Sequence, residues 1–170
     1  MKLLISAILL TFSITACSAK DSVELVKGSG KTAVVKTGKA KAENVVRAYG
    51  IAIAEVTKTL KQLKLKVAGP AFFKLLERDD GIVTFQSGYE ITKKVKNVVG
   101  LDVITMPKGN MVQVLHKGSF ADTKDSYNKI ISWLNKNNQE AAPGVYEFYL
   151  SDPTKVSPPN QEMLIQIPLQ

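Results

Sequence analysis

One pattern, strand–helix–strand–strand, occurs twice between about residue 31 and the C-terminus. A repeat of this size restricts the chain to two similar units that stack and share a core. In the first copy Thr32–Gly38 reads as a strand that ends in Gly, where a tight turn costs least. A helix follows, with Val46, Tyr49, Ile53, Val56, Leu60 and Leu63 at spacings of three and four, one apolar stripe. In the second copy Val112–Gly118 is the strand. Tyr127, Ile130, Ile131 and Leu134 form the stripe, after Asp122 or Thr123 as N-cap. Each helix leads to a β-rich run closed by an Asp turn, and Pro70–Asp79 aligns on Pro143–Asp152 without a gap. Last strands, Ile82–Ile91 and Gln161–Leu169, complete the units, at about 31–91 and 102–170. The expectation is an α+β domain: duplicated strand-helix-strand-strand units with pseudo-twofold symmetry around a central groove, helices on one side of the sheets.

The first seventeen residues read as an address. Lys2, an apolar run from Leu3 to Ile14 and the small pair Thr15-Ala16 make an export signal over residues 1–16, too short to span a bilayer. Ile14-Thr15-Ala16-Cys17 resembles the lipobox of bacterial lipoproteins, which implies a lipid on Cys17. The alternative is an ordinary export signal with a chance Cys. Cys17 is the only cysteine, so no disulfide forms within the chain, and lipidation gives an exported thiol a purpose. Residues 17–30 are then lipidated Cys and tether. Ser18 after the cysteine points to the outer rather than the inner membrane of the cell envelope.

Cleavage after residue 16 of the 170 leaves 154, enough for one domain. The formal charge is +8, with Lys58, Lys61, Lys64 and Lys66 assigned to one helix and Lys93, Lys94 and Lys96 to a loop. Their scatter reads as a solvated surface, with weak attraction to anionic headgroups as the alternative. An exported chain has no nucleic acid to meet, and a monomer is expected.

The order of motifs in the second copy carries a family resemblance: Met106-Pro107-Lys108-Gly109, His116-Lys117-Gly118-Ser119-Phe120, Tyr127 through Trp133-Leu134, Pro143 through Glu147 to Asp152-Pro153, and Ile167-Pro168. It is similar to the GyrI-like, or AraC-type effector-binding, small-molecule domain over Thr32 to the C-terminus. That resemblance implies two units around a groove that binds amphipathic, often cationic or aromatic, ligands. Glu147 matches the family's groove glutamate.

Period-two alternation sets Val145, Glu147 and Tyr149 on one face of their strand, and Tyr146, Phe148 and Leu150 on the other. The wholly apolar face is expected against the helices and Glu147 toward the groove, where a poorly solvated carboxylate selects a lipophilic cation. The ungapped alignment makes Lys74 the partner of Glu147, with Phe72 and Leu76 beside it. Lys74 either neutralises Glu147, favouring neutral or zwitterionic ligands, or snorkels to solvent. Tyr89 is a further groove candidate on an undecided face.

The lead function is therefore a membrane-anchored binding module with no cofactor. The alternative is a hydrolase of strained or electrophilic small molecules, with Glu147 as base and Tyr149 as partner. No catalytic residue is assigned otherwise, and no metal site is expected. His116, the only histidine, reads as a strand residue before a turn rather than a metal or haem ligand. Trp133 is expected to pack its helix on the sheet. Lys27–Thr32 superficially resembles a phosphate loop but lacks its first glycine.

Overall fold

The computed structural model describes residues 22–170; the signal and Cys17 lie outside the described residues. The elements are β1 (Glu24–Lys27), β2 (Thr32–Lys41), α1 (Val45–Gln62), β3 (Phe72–Asp79), β4 (Ile82–Glu90), β5 (Asp102–Thr105), β6 (Asn110–Lys117), α2 (Lys124–Lys136), β7 (Val145–Tyr149) and β8 (Glu162–Pro168). All eight strands form one antiparallel sheet in the order β1-β6-β8-β7-β3-β4-β2-β5. The duplication is plain in this order. β2, β4 and β3 mirror β6, β8 and β7, and the halves join where β3 pairs with β7.

Both helices lie on one face of the sheet. α1 sets Val56 and Leu60 against Val34, while α2 sets Ile130 against Val112, Val114 and Ile165. Trp133 and Tyr127 are half-buried in this second cluster. Among the described residues no helix covers the opposite face, yet it buries Ala33, Val35, Phe72, Met111, Tyr146 and Phe148, with Val26 and Ile104 from the two edge strands. Residues from both edges meet in one cluster because the sheet curls around it. Among the described residues every strand pairs with another strand and both helices pack on the sheet.

Two sequence expectations change here. Glu24–Lys27, assigned to the tether, is an edge strand paired with β6, Glu24 opposite Gln113 and Lys27 opposite Asn110. β5, counted with the second unit, pairs instead with β2 of the first. Each unit is thus flanked by the strand that precedes the other. The connecting loops then run side by side across the seam: the amides of Gly28, Gly30 and Met106 donate to the carbonyls of Gly109, Pro107 and Lys31, each at 2.9 Å. A Cβ on Gly28 would sit 2.2 Å from the Pro107 oxygen, so this crossing requires glycine. That is the structural use of the glycines in Lys27–Thr32.

Candidate functional site

The central strands β3 and β7 lie under the space between α1 and α2, and there the sheet is not covered by helix. The register sets Phe73 opposite Glu147 and Leu75 opposite Val145. These four side chains, with Tyr149, face the helices and floor a cavity of about 410 Å³. α1 contributes Tyr49 and α2 contributes Tyr127, each from its first two turns. Phe120, from the loop before α2, closes one side, and exposed Arg78 lines the cavity from the end of β3.

Glu147 is the centre of this arrangement. The Tyr127 hydroxyl donates to its Oε1 at 2.7 Å, and the Tyr149 hydroxyl donates to its Oε2 at 3.1 Å. Hydrogen bonds to a carboxylate are the strong ones, and the Tyr149 phenol is held in turn by rings. Tyr49 lies 5.0 Å from the Tyr149 ring, Phe120 meets the same ring edge-on at 5.0 Å, and Phe73 approaches Tyr49 at 6.2 Å. Phe73 also stacks on Phe85 at 5.2 Å, tying the floor to the α1 core.

Burial pushes the hydroxyls of Tyr149, Tyr127 and Tyr49 well above the ordinary phenol range. The charge of Glu147 adds to this for all three, with Tyr89 a larger contributor than Glu147 at Tyr49. They therefore stay protonated through the ordinary phenol range. The unfolded chain releases these protons near pH 10, so it holds fewer than the folded chain above that pH. Their contribution to stability is accordingly full below pH 10 and is lost as pH rises beyond it. A phenolate absorbance titration is expected to find Tyr49, Tyr127 and Tyr149 silent until the circular dichroism signal of the fold collapses. Smooth ionisation of all five tyrosines near pH 10 in the intact fold would contradict this geometry.

Of the residues singled out in the sequence, Glu147, Tyr149 and Val145 line the groove. Phe72, Lys74, Leu76 and Tyr89 do not, and for Phe72 and Lys74 the cause is one residue of register. A twofold axis through the sheet preserves faces, and β3 and β7 pair so that same-face residues differ by an even number. The ungapped alignment offsets the copies by an odd number, which turns every side chain to the other face. Phe72 is therefore fully buried inside the curled sheet, against Phe148 and Tyr146. Lys74 pairs with Tyr146, its Nζ 5.3 Å from that ring's centre, on the face away from the groove. Leu76 is exposed at a bulge in β3. Tyr89 shares the helix face but sits near the far end of α1, accepting a hydrogen bond from Thr57 at 3.3 Å.

The face expected against the helices is also the wrong one. Tyr146 and Phe148 fill the curled interior, and Glu147 points to the helix side. Curling the sheet creates a second interior that no described helix covers, and the more apolar face goes there. The sequence missed Tyr49 and Tyr127 as groove residues. The available signal was a hydroxyl recurring early in each helix's apolar stripe.

His116 is buried, its Nε2 donating to the Ser119 carbonyl and its Nδ1 hydrogen-bonded with the Ser126 hydroxyl, each at 3.0 Å. Among the described residues no group of three His, Cys, Asp or Glu side chains is placed to hold a metal.

An ionisable group clamped by neutral phenols, at the floor of an aromatic groove on a duplicated sheet, defines a small-molecule-binding domain. The chain belongs to the GyrI-like family: the family model described as "GyrI-like small molecule binding domain" matches residues 32–170, leaving β1 outside the match. No curated protein matches the sequence. Solved structures share the fold at low identity. An uncharacterized conserved protein from Listeria innocua superposes with a TM-score of 0.70 at 13% identity, covering 90% of this chain and 94% of that one. The EcmrR C-terminal domain gives 0.71 at 16%, covering 89% and 97%; in an EcmrR–DNA complex the likeness spans 57% of the EcmrR chain. SAV2435 bound to tetraphenylphosphonium gives 0.62 at 11%, covering 89% and 94%.

Proposed function

We propose that this chain is a bacterial envelope lipoprotein, held at a membrane by lipid on Cys17, that captures a small amphipathic cation with aromatic surface in the groove around Glu147. One observation supports the ligand class above the rest. Glu147 is held by two neutral hydroxyls, and no described lysine or arginine is in an ion pair with it. Phenol donors spread the carboxylate charge without cancelling it, so a ligand that brings the positive charge completes the site. The surrounding rings add cation–π attraction of roughly 0.5–2 kcal/mol. Tetraphenylphosphonium, the ligand of SAV2435, has that chemistry and serves as the probe.

Thermal shift of the 22–170 domain tests the reading. Tetraphenylphosphonium at 100 times its dissociation constant is expected to add about 2.7 kcal/mol of stability. No shift with any lipophilic cation would remove the proposal. A hydrolytic role uses the same groups, with Glu147 as base and the Tyr149 hydroxyl 3.1 Å away as donor. Turnover of a strained electrophile, lost in Glu147→Gln, would select it instead.

The anchor has its own test. The lipid on Cys17 is the proposed attachment; among the described residues no helix is long and apolar enough to cross a membrane. After a salt wash, Cys17→Ser is expected to move the protein from the membrane to the soluble fraction of a bacterial host without changing the domain's melting temperature. Retention of the variant at the membrane after a salt wash would contradict lipid attachment.

A further inference from the structure

The C-terminal end of α1, the loop after it and the β4–β5 loop form one continuous surface. The Thr92 amide donates to the Lys66 carbonyl at 3.0 Å, Val67 bridges to Ile91, and Leu65 and Val95 pack into the same cluster as Leu60 and Val98. α1 ends at Gln62, so Lys64 and Lys66 leave the helix and join Lys93, Lys94 and Lys96 beside them. With Lys58 and Lys61 this makes seven exposed lysines. No acidic residue occurs from Val56 to Leu76 or from Ile91 to Leu101, and none of the seven is in an ion pair with a described carboxylate. Among these charges stand exposed aliphatic residues: Leu63, Val67 and, at 90% exposure, Val99. Between the loops and the sheet lies a second cavity, of about 420 Å³, with Leu60, Leu65, Val67 and Tyr89 in its walls and Lys61 and Lys66 on its lining.

We infer that this face docks on an anionic phospholipid bilayer, its lysines over headgroup phosphates and Leu63, Val67 and Val99 at the acyl boundary. Charge complementarity names the partner's sign, and the aliphatic residues between the charges name its kind. An apolar fringe around a basic patch gains from a surface that is anionic outside and hydrocarbon beneath. Nucleic acid fits less well. Base and phosphate recognition favours arginine forks and exposed stacking rings, whereas every cation here is lysine, a point charge suited to diffuse headgroups. The inference is independent of the Glu147 groove and of lipid on Cys17, since the patch lies within the 22–170 domain.

Flotation of the 22–170 domain with vesicles tests it. Binding is expected to vesicles of equal parts phosphatidylglycerol and phosphatidylcholine, and not to phosphatidylcholine alone. Each lysine near an anionic surface contributes about 5-fold in binding, so the triple variant Lys61→Gln, Lys66→Gln, Lys94→Gln is expected to lose about 100-fold. A control triple variant elsewhere on the surface, Lys39→Gln, Lys124→Gln, Lys136→Gln, removes the same net charge and is expected to lose far less. Leu63→Ser with Val99→Ser is expected to lose about 10-fold through the apolar part alone. Salt at 1 M shortens screening to about 3 Å and is expected to abolish binding. Equal losses in the two triple variants would reduce the effect to net charge and overturn the inference. So would binding to neutral vesicles, no binding to anionic ones, or saturable binding of monomeric dodecyl phosphate without vesicle binding.

Discussion

Glu147→Gln is expected to weaken tetraphenylphosphonium binding about 30-fold, or about 2 kcal/mol, while leaving a neutral triphenyl compound almost unaffected. The size follows from Coulomb attraction in a partly buried site. A unit pair at 4 Å and an effective dielectric constant near 20 gives about 4 kcal/mol, of which desolvation of the ligand takes back a part. Glutamine keeps the volume of glutamate and one acceptor, so the Tyr127 hydroxyl retains a partner while the net charge is lost. Calorimetric titration of both ligands against both proteins measures the difference. An equal loss for the cation and the neutral compound would mean that Glu147 only shapes the groove. No loss for either would end the charge argument.

Phe72→Ala is expected to cost about 3–5 kcal/mol of stability, read from the urea midpoint at unchanged slope. Phe72 is fully buried against Phe148 and Tyr146 inside the curled sheet, where neighbours from several strands hold the space open. Leu76→Ala, at the exposed bulge, is expected to stay within about 0.5 kcal/mol. The pair discriminates between the two faces of β3. If the odd-numbered offset held, both side chains would line the groove, and each variant would lower ligand affinity before it lowered stability. In the observed register whatever fraction of Phe72→Ala remains folded binds ligand as tightly as the parent.

The duplication, the two helical stripes and the strand carrying Glu147 were legible because local periodicity dictates them. Alternation alone grouped Val145, Glu147 and Tyr149, and those three are together in the groove. Tyr49 and Tyr127 were visible as members of their stripes but not as groove walls. Whether a stripe residue meets the sheet or a gap beside it depends on where the neighbouring helix stops. Lys74 shows a different limit. Its assignment as the partner of Glu147 rested on aligning Pro70 with Pro143, and a slip of one residue in a period-two element inverts every face. The exchanged edge strands were hidden for a further reason. β1 finds its partner 83 residues or more away, at Asn110–Gln113, and so short a segment carries no periodicity to announce it.

The sequence by itself determined two helix-covered units, a carboxylate on one strand face between aromatic and aliphatic neighbours, and an N-terminal segment whose cysteine carries the case for a lipid anchor. Those follow from covalent order and side-chain period, which need no knowledge of the rest of the molecule. Only the tertiary structure decided which face of β7 the helices cover, that two phenols hold Glu147, and that lysines from two distant segments share one surface. Each of these depends on the curl of the sheet and on long-range register. They are set by the competition among all apolar faces for two interiors, not by any one segment's preference.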